Sequence, residues 1–166
     1  TLILSGEVDA GMADRALASL HLMERASSEP VTIYLNSDGG GWNSGIGIYD
    51  YIRQMKSHVT IRVYGSAESM GSVILQPADE RIVSSHSVVM VHHGTDGKSR
   101  EQHAIDYERW AEYSKNARAQ MCRIYALRSG KKTAYWQRKC AHDYILTAEQ
   151  AVEEGLADKV MPQPGE

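Results

Sequence analysis

The 166-residue sequence lacks several features that would place it in a specialised class of protein. No apolar run approaches the roughly 20 residues of a membrane-spanning helix, and no basic, apolar start suggests a signal peptide. The formal net charge is only −3, and no basic segment suits nucleic acid or a membrane surface. The two cysteines, Cys122 and Cys140, lack metal-site spacing. We therefore expect reduced thiols, no metal, no cofactor and a cytoplasmic protein.

What remains is the composition of an ordinary globular chain, with 42% apolar and 23% charged residues. The length suffices for one domain with a proper hydrophobic core. We find no internal repeat, low-complexity segment or linker. The sequence therefore predicts a single domain over residues 1–166.

Strand-like and helix-like segments alternate along the chain. Apolar alternation or short apolar runs predict strands at residues 2–4, 31–35, 59–63, 80–84 and 87–91, with Gly65 ending the third. Helical spacing and end signals predict helices at residues 14–26, 46–55, 101–128, 133–141 and 147–155, and a further helix starting near Ser69. This order predicts an α/β fold whose parallel strands are joined by right-handed crossovers.

The predicted helix over residues 101–128 is long for so small a protein. At 1.5 Å per residue it would measure about 42 Å. Trp110, Tyr113, Met121 and Ile124 recur along it at helical spacing. Since one small domain cannot cover such a stripe, we expect part of it to pack on another subunit.

Three polar segments follow predicted strands: residues 36–41 (NSDGGG), residues 65–71 (GSAESMG) and His92. Ligand sites in α/β folds lie at the carboxyl ends of the strands, so these segments are expected to meet. Ser69 stands where a strand passes to a helix start, and unpaired N–H groups there would stabilise an oxyanion. The alternative is that Ser66 and Ser69 only cap the helix.

Five segments in order make the chain resemble the proteolytic subunit of the caseinolytic (Clp) protease, ClpP. They read NSDGG, SGIGIYDYI, GSAESMGS, SVVMVHH and DYILTAEQAVEEGLAD, and the match covers essentially the whole chain, from the first predicted strand to Asp158. The resemblance implies a crotonase-like α/β superhelix of βαβ units, with the long helix as a handle. It also implies a serine endopeptidase that cleaves peptides or unfolded proteins inside stacked heptameric rings. An AAA+ unfoldase would supply any ATP dependence.

The resemblance also assigns a catalytic triad. Ser69 matches the nucleophile, His92 the general base and Asp143 the acid that orients the base. His93 competes for the role of base, although neighbouring residues of a strand point to opposite faces. Asp158 is a rival carboxylate, and the residues that follow Asp143 favour Asp143.

Further positions follow from the same motifs. The backbone N–H groups of Gly40 and Met70 match the oxyanion hole, while Gly39, Gly41 and Trp42 match the strand along which substrate lies. An indole at Trp42 would fill room for a large P1 side chain, so we expect small P1 residues to be preferred.

Two acidic residues depart from the family pattern. Asp38 replaces a proline, and Glu68 replaces a small residue beside the nucleophile. Two other functions stay open on the sequence alone: a non-catalytic ClpP-like structural or regulatory subunit, and a crotonase-like acyl-CoA enzyme.

Overall fold

Strands and helices alternate through the computed structural model, which describes residues 1–94 and 104–161, with side chains except at 104 and 105. The strands are β1 (Leu2–Ser5), β2 (Val31–Ser37), β3 (Val59–Glu68), β4 (Glu80–Ser84), β5 (Val88–Val91), β6 (Tyr144–Leu146) and β7 (Lys159–Met161). The helices are α1 (Ala10–Ala26), α2 (Trp42–Gln54), α3 (Met70–Leu75), α4 (Ala104–Ser129), α5 (Thr133–Lys139) and α6 (Ala148–Glu153). The predicted α/β fold is confirmed.

All seven strands belong to one sheet that divides at β3. The main path runs β1-β2-β3-β4-β7, and all of its neighbours are parallel. The first half of β3 pairs with β4, whereas its last three residues pair with β5. β6 then pairs antiparallel with β5. The end of β3 and the end of β5 are therefore direct neighbours.

The prediction that Gly65 ends the third strand is wrong. β3 continues to Glu68, and Gly65 takes a φ of +86° inside it. The pairing of β2 with β3 shifts register at this point, and the amide oxygen of Asn36 accepts the N–H of Ser66 at 3.1 Å. A Cβ at position 65 would lie 2.6 Å from that oxygen, so only glycine fits. Gly65 thus carries a bulge that redirects the strand toward β5.

Other boundaries differ from the predicted ones because local chemistry overrides apolar spacing. α1 starts at Ala10, since the Asp9 carboxylate accepts the N–H of Met12 at 2.7 Å. β6 and β7 were not predicted as strands, because three residues are too short for a periodic pattern. A capping box starts α6, with Thr147 and Gln150 bonded reciprocally.

Alternate residues of β2 and β3 form the centre of the core. Their inward positions are fully or almost fully buried: Val31, Ile33, Leu35, Val59, Ile61 and Val63. The positions between them are partly exposed: Thr32 and Tyr34 on β2, and Thr60 and Arg62 on β3. β5 is buried at Val89, Met90 and Val91, as its continuous apolar run predicts.

The two halves of α4 differ in burial. Its C-terminal half is anchored in the core through Met121, Cys122 and Tyr125. Its N-terminal half exposes aromatic side chains, with Tyr107 70% and Trp110 39% exposed. Residues 101–103 of the predicted helix lie outside the described residues. No helix in the part of the chain described here is long and apolar enough to cross a membrane.

An ion pair with a buried arginine joins β4 to the segment before β7. The Arg81 guanidinium bonds both carboxylate oxygens of Asp158, with Nε at 3.0 Å from Oδ2, while Nη1 donates to Gln76 Oε1 at 2.8 Å. Burial alone would raise the pKa of Asp158, but the hydrogen bonds from Arg81 lower it below its ordinary value. The Asp158 carboxylate is therefore committed to Arg81.

Candidate active site

Ser69 lies at the junction between β3 and α3. Its backbone takes φ 49° and ψ −116°, and it is the one non-glycine residue with positive φ in the two described ranges. Its N–H donates to the carbonyl of Met90 at 2.8 Å, which ties this strained turn to β5. Such strain is typical of functional turns that the surrounding structure holds in place.

The Ser69 side chain does not cap α3. Although Ser69 occupies the N-cap position, it makes no side-chain cap hydrogen bond. Its Oγ lies 2.8 Å from Nε2 of His92. Ser66 does not cap the helix either, because its hydroxyl donates to the Asp38 carboxylate at 3.0 Å. The capping alternative is therefore wrong for both serines.

His92 follows β5 and connects Ser69 to Asp143. Its Nδ1 lies 2.9 Å from Oδ1 of Asp143, and the side chains of His92 and Asp143 are 24% and 65% exposed. Asp143 arrives there because β6 begins directly after it and pairs antiparallel with β5. An ionised carboxylate only accepts, so Nδ1 carries the ring proton and Nε2 accepts from the Ser69 hydroxyl. The three side chains form one hydrogen-bonded chain.

The two rival residues lie elsewhere. The backbone N–H of His93 donates to the carbonyl of Cys140, and its Nε2 lies 3.7 Å from Sγ of Cys122. Asp158 is bound to Arg81. The structure therefore brings His92 and Asp143 to Ser69.

Both cysteines are free and buried beside His93. A hydrogen bond from the Cys140 thiol and the neighbouring His93 ring together lower the pKa of Cys122 to about 6, against the effect of burial. The same bond, together with burial, raises the pKa of Cys140. No group of three or more His, Cys, Asp or Glu side chains within the described ranges is placed to hold a metal ion.

The glycine loop packs against the nucleophile turn. A Cβ on Gly39 would lie 2.6 Å from the Cβ of Ser69 and 3.0 Å from the backbone nitrogen of Met70. Gly40 forms an isolated parallel bridge with Val8, which a Cβ at position 40 would approach to 2.5 Å. A side chain at Gly39 would clash with the nucleophile turn, and one at Gly40 would clash with the Val8 backbone, so either would displace the loop. The loop therefore keeps its backbone groups beside the nucleophile.

Ser37 holds this loop in place, a role that the sequence analysis missed. It is buried, its Oγ donates to the carbonyl of Gly6 at 2.6 Å, and it accepts the N–H of Gly39 at 3.1 Å. A serine two residues before a glycine is a recognised turn signal, so the NSDGG pattern did contain this information.

Trp42 is not in an extended strand, and that part of the expectation is wrong. It is the first residue of α2, after Gly41 as N-cap. Its side chain is partly buried and packs against the core. α2 starts earlier than the predicted residue 46. The apolar spacing did not reveal this first turn, because the turn carries no apolar repeat. A role of Trp42 in substrate binding stays a prediction.

Glu68 places a second carboxylate beside the triad. Burial raises the pKa of Glu68, and the nearby charges of Asp38 and Asp143 raise it further, while His92 opposes them. The side chain is half-buried rather than fully solvated. Glu68 therefore favours its protonated form more than a surface glutamate does.

The chain was compared with protein families and with individual proteins. The family model "Clp protease" matches residues 1–164. The chain is 36% identical over 168 residues to ATP-dependent Clp protease proteolytic subunit 3 of Synechococcus sp. (strain CC9605), covering 99% of this chain and 84% of the relative. It is 32% identical over 163 residues to proteolytic subunit 1 of Protochlamydia amoebophila (strain UWE25), covering 96% of this chain and 79% of the relative.

A solved structure supports the same assignment at the level of the fold. A mutant of ClpP1 from Listeria monocytogenes superimposes with a TM-score of 0.89 at 23% identity, covering 98% of this chain and 91% of that chain. Since the family model spans almost the whole sequence and the relatives exceed 30% identity, this chain belongs to the Clp protease family.

Proposed function

We propose that this chain is a Clp-type serine endopeptidase, built as a single domain over residues 1–166, that hydrolyses peptide bonds of peptides or unfolded proteins. The observation that carries the proposal is the hydrogen-bonded chain from Ser69 Oγ to His92 and on to Asp143, with links of 2.8 and 2.9 Å. Membership of the Clp protease family supports the same reaction. An acyl-CoA reaction has no need of such a triad.

The reaction follows from these positions. Ser69 Oγ attacks the peptide carbonyl carbon while its proton passes to Nε2 of His92. His92 then gives that proton to the leaving amine, the C–N bond breaks and an acyl-enzyme remains. Water then attacks the carbonyl carbon of the acyl-enzyme and passes a proton to Nε2 of His92. The ester bond breaks, the carboxylic acid leaves, and His92 returns the proton to Ser69 Oγ. Asp143 holds the ring and stabilises the imidazolium.

Two backbone N–H groups would stabilise the oxyanion of the tetrahedral intermediate. Met70 is the first residue of α3, so its N–H has no partner within that helix. Gly40 belongs to the loop that packs against Ser69. Removal of one such donor in a serine protease costs about 10²- to 10³-fold in kcat.

Labelling with a fluorophosphonate probe tests the proposal. We expect the probe to label the wild type at Ser69, and Ser69→Ala to lose both labelling and hydrolysis of short peptides while keeping its fold. Ser66→Ala is the matched control, because Ser66 lies three residues before Ser69 and its hydroxyl bonds to Asp38. An unlabelled wild type would instead indicate a non-catalytic subunit.

Gly39, Gly41 and Trp42 are proposed to border the substrate. Overpacking a pocket costs roughly 1–3 kcal/mol, which corresponds to about 5- to 150-fold in kcat/KM. We therefore expect small P1 residues to be preferred and Trp42→Val to shift preference toward Leu and Met. A P1 panel on both proteins measures this, and equal Leu-to-Ala ratios would remove Trp42 from the pocket.

The chain is proposed to assemble with itself as stacked heptameric rings in the cytoplasm, with an AAA+ unfoldase as partner. The exposed Tyr107, Trp110 and Tyr113 on α4 support burial of this helix between subunits. The relatives' names include the term ATP-dependent, which supports an ATPase partner. Sedimentation of only an 18.4 kDa monomer at micromolar concentration would contradict self-assembly.

A further inference from the structure

The carbonyl group of Ser69 is held by a buried hydrogen-bond network behind the nucleophile. It accepts the backbone N–H of Ser72 at 3.1 Å and the Ser72 hydroxyl at 2.6 Å. The Ser72 hydroxyl in turn lies 2.7 Å from the phenol oxygen of Tyr125 on α4. Ser72 and Tyr125 are both completely buried.

The direction of the protons in this network is fixed. A carbonyl oxygen has no proton, so the Ser72 hydroxyl donates to Ser69. Ser72 has then used its only proton, and Tyr125 must donate to Ser72. Burial raises the pKa of Tyr125 well above its ordinary value, which keeps the phenol protonated. Hydrogen bonds in such a chain polarise one another, so the phenol strengthens the bond to the Ser69 carbonyl.

This carbonyl and the N–H of Met70 belong to the same peptide group. Because a trans peptide is planar, its C=O and N–H point in opposite directions, and fixing the oxygen fixes the direction of the N–H. Two donors on the oxygen also polarise the peptide and make the N–H a stronger donor. The strained backbone of Ser69 makes this restraint necessary, since a peptide next to positive φ has alternative orientations.

We propose that Ser72 and Tyr125 are positioning residues that hold the Ser69–Met70 peptide so that the Met70 N–H points at the developing oxyanion. This inference rests on the proposed function of Ser69. It connects α4 to the site, because Tyr125 belongs to the buried half of the helix whose other half exposes Trp110.

The test compares hydroxyl deletions inside and outside the network. The variants are Ser72→Ala, Tyr125→Phe and the double variant, with Tyr135→Phe as matched control. The Tyr135 phenol donates to Glu154 at 2.7 Å, so its loss also removes a hydrogen bond, but one to Glu154 and not to Ser72. Each variant is measured for kcat, KM and affinity for a peptide boronic acid, whose adduct with Ser69 is tetrahedral.

We expect kcat to fall roughly 10- to 100-fold for Ser72→Ala and roughly 3- to 10-fold for Tyr125→Phe, less than loss of a whole oxyanion donor. KM should stay within about twofold, because the Met70 N–H contributes mainly in the transition state. Boronate affinity should fall with kcat. The double variant should match Ser72→Ala alone, because the phenol acts through Ser72. Tyr135→Phe should keep wild-type kcat.

A merely structural role predicts lower thermal stability for all of these variants and unchanged kcat and boronate affinity. That result in an active wild type overturns the inference and leaves the proposed function intact. If Tyr125→Phe fails to fold, Ser72→Ala decides alone, since it only removes one oxygen atom. A wild type that neither hydrolyses peptides nor reacts with fluorophosphonate overturns both.

Discussion

Two hydrogen-bond networks in this protein each join an aspartate to a nitrogen-bearing side chain, but they serve different ends. Arg81 and Asp158 form a pair whose side chains are 4% and 34% exposed, and the guanidinium also binds Gln76. His92 and Asp143 form a pair whose carboxylate side chain is 65% exposed. The arginine of the first pair is enclosed, whereas the second pair ends on the partly exposed Ser69 hydroxyl.

The two networks differ in whether an incoming molecule can reach their last hydrogen-bonding group. Arg81 finds all its partners inside the chain, and Gly155 supplies a further carbonyl at 2.9 Å. These hydrogen bonds of Arg81 join β4 to the segment from Gly155 to Asp158, more than 70 positions later. The His92 network leaves the proton of Ser69 within reach of an incoming group. An enclosed network therefore favours stability, while an open one permits proton transfer.

Substitution of the two adjacent histidines, His92 and His93, is expected to give the largest difference in activity. We expect His92→Ala to lose roughly 10³-fold or more in kcat, because triad members act as a unit. His93→Ala should keep most of its activity, since its ring lies against Cys122 rather than Ser69. Steady-state hydrolysis of a short peptide measures both, and a dead His93→Ala beside an active His92→Ala would reverse the assignment.

Arg81→Ala tests the enclosed network. Because the Arg81 side chain is 4% exposed but the Asp158 side chain is 34% exposed, we expect a loss in the free energy of unfolding below the roughly 3–5 kcal/mol of a fully buried pair. Lys159→Ala is the control, because the Lys159 side chain is 63% exposed in its pair with Glu80, and exposed pairs contribute about 0–1 kcal/mol. Denaturant titration measures both variants, and equal losses would show that enclosure adds nothing.

The third effect, which we expect to be the smallest, is the change with pH in the contribution of Asp158 to the free energy of unfolding. Since the pKa of Asp158 is lowered in the folded state, its contribution is present above the unfolded pKa of about 3.9 and is lost as pH falls below it. Asp158→Asn should therefore be less stable at neutral pH, with the difference narrowing on acidification. A difference that stays constant from about pH 6 to pH 2 would contradict this reading.

The alternation of strands and helices and the meeting of Ser69, His92 and Asp143 were predictable, the first from apolar spacing and the second from motifs. The passage of β3 through Gly65 was not, because the bulge depends on an amide oxygen of Asn36 on the neighbouring strand. A glycine within a strand signals either an end or a bulge, and the sequence alone does not distinguish them.

The network behind the nucleophile was also beyond sequence reasoning. Ser72 and Tyr125 are 53 positions apart, and each alone resembles an ordinary helix residue. Trp42 illustrates the opposite error. The motif predicted an extended backbone at this residue, whereas Trp42 is the first residue of a helix. Motifs locate side chains along the chain, whereas contacts between distant elements require the packed structure.

The antiparallel strand β6 has a consequence for biosynthesis. Asp143 lies 51 positions after His92 and reaches it only when β6 pairs with β5. At about 5–20 residues per second, a ribosome needs roughly 3–10 s to make that interval. During this time the nascent chain already contains Ser69 and His92 but lacks the carboxylate that orients the ring. The order of synthesis therefore delays a complete triad until almost the whole sheet has been made.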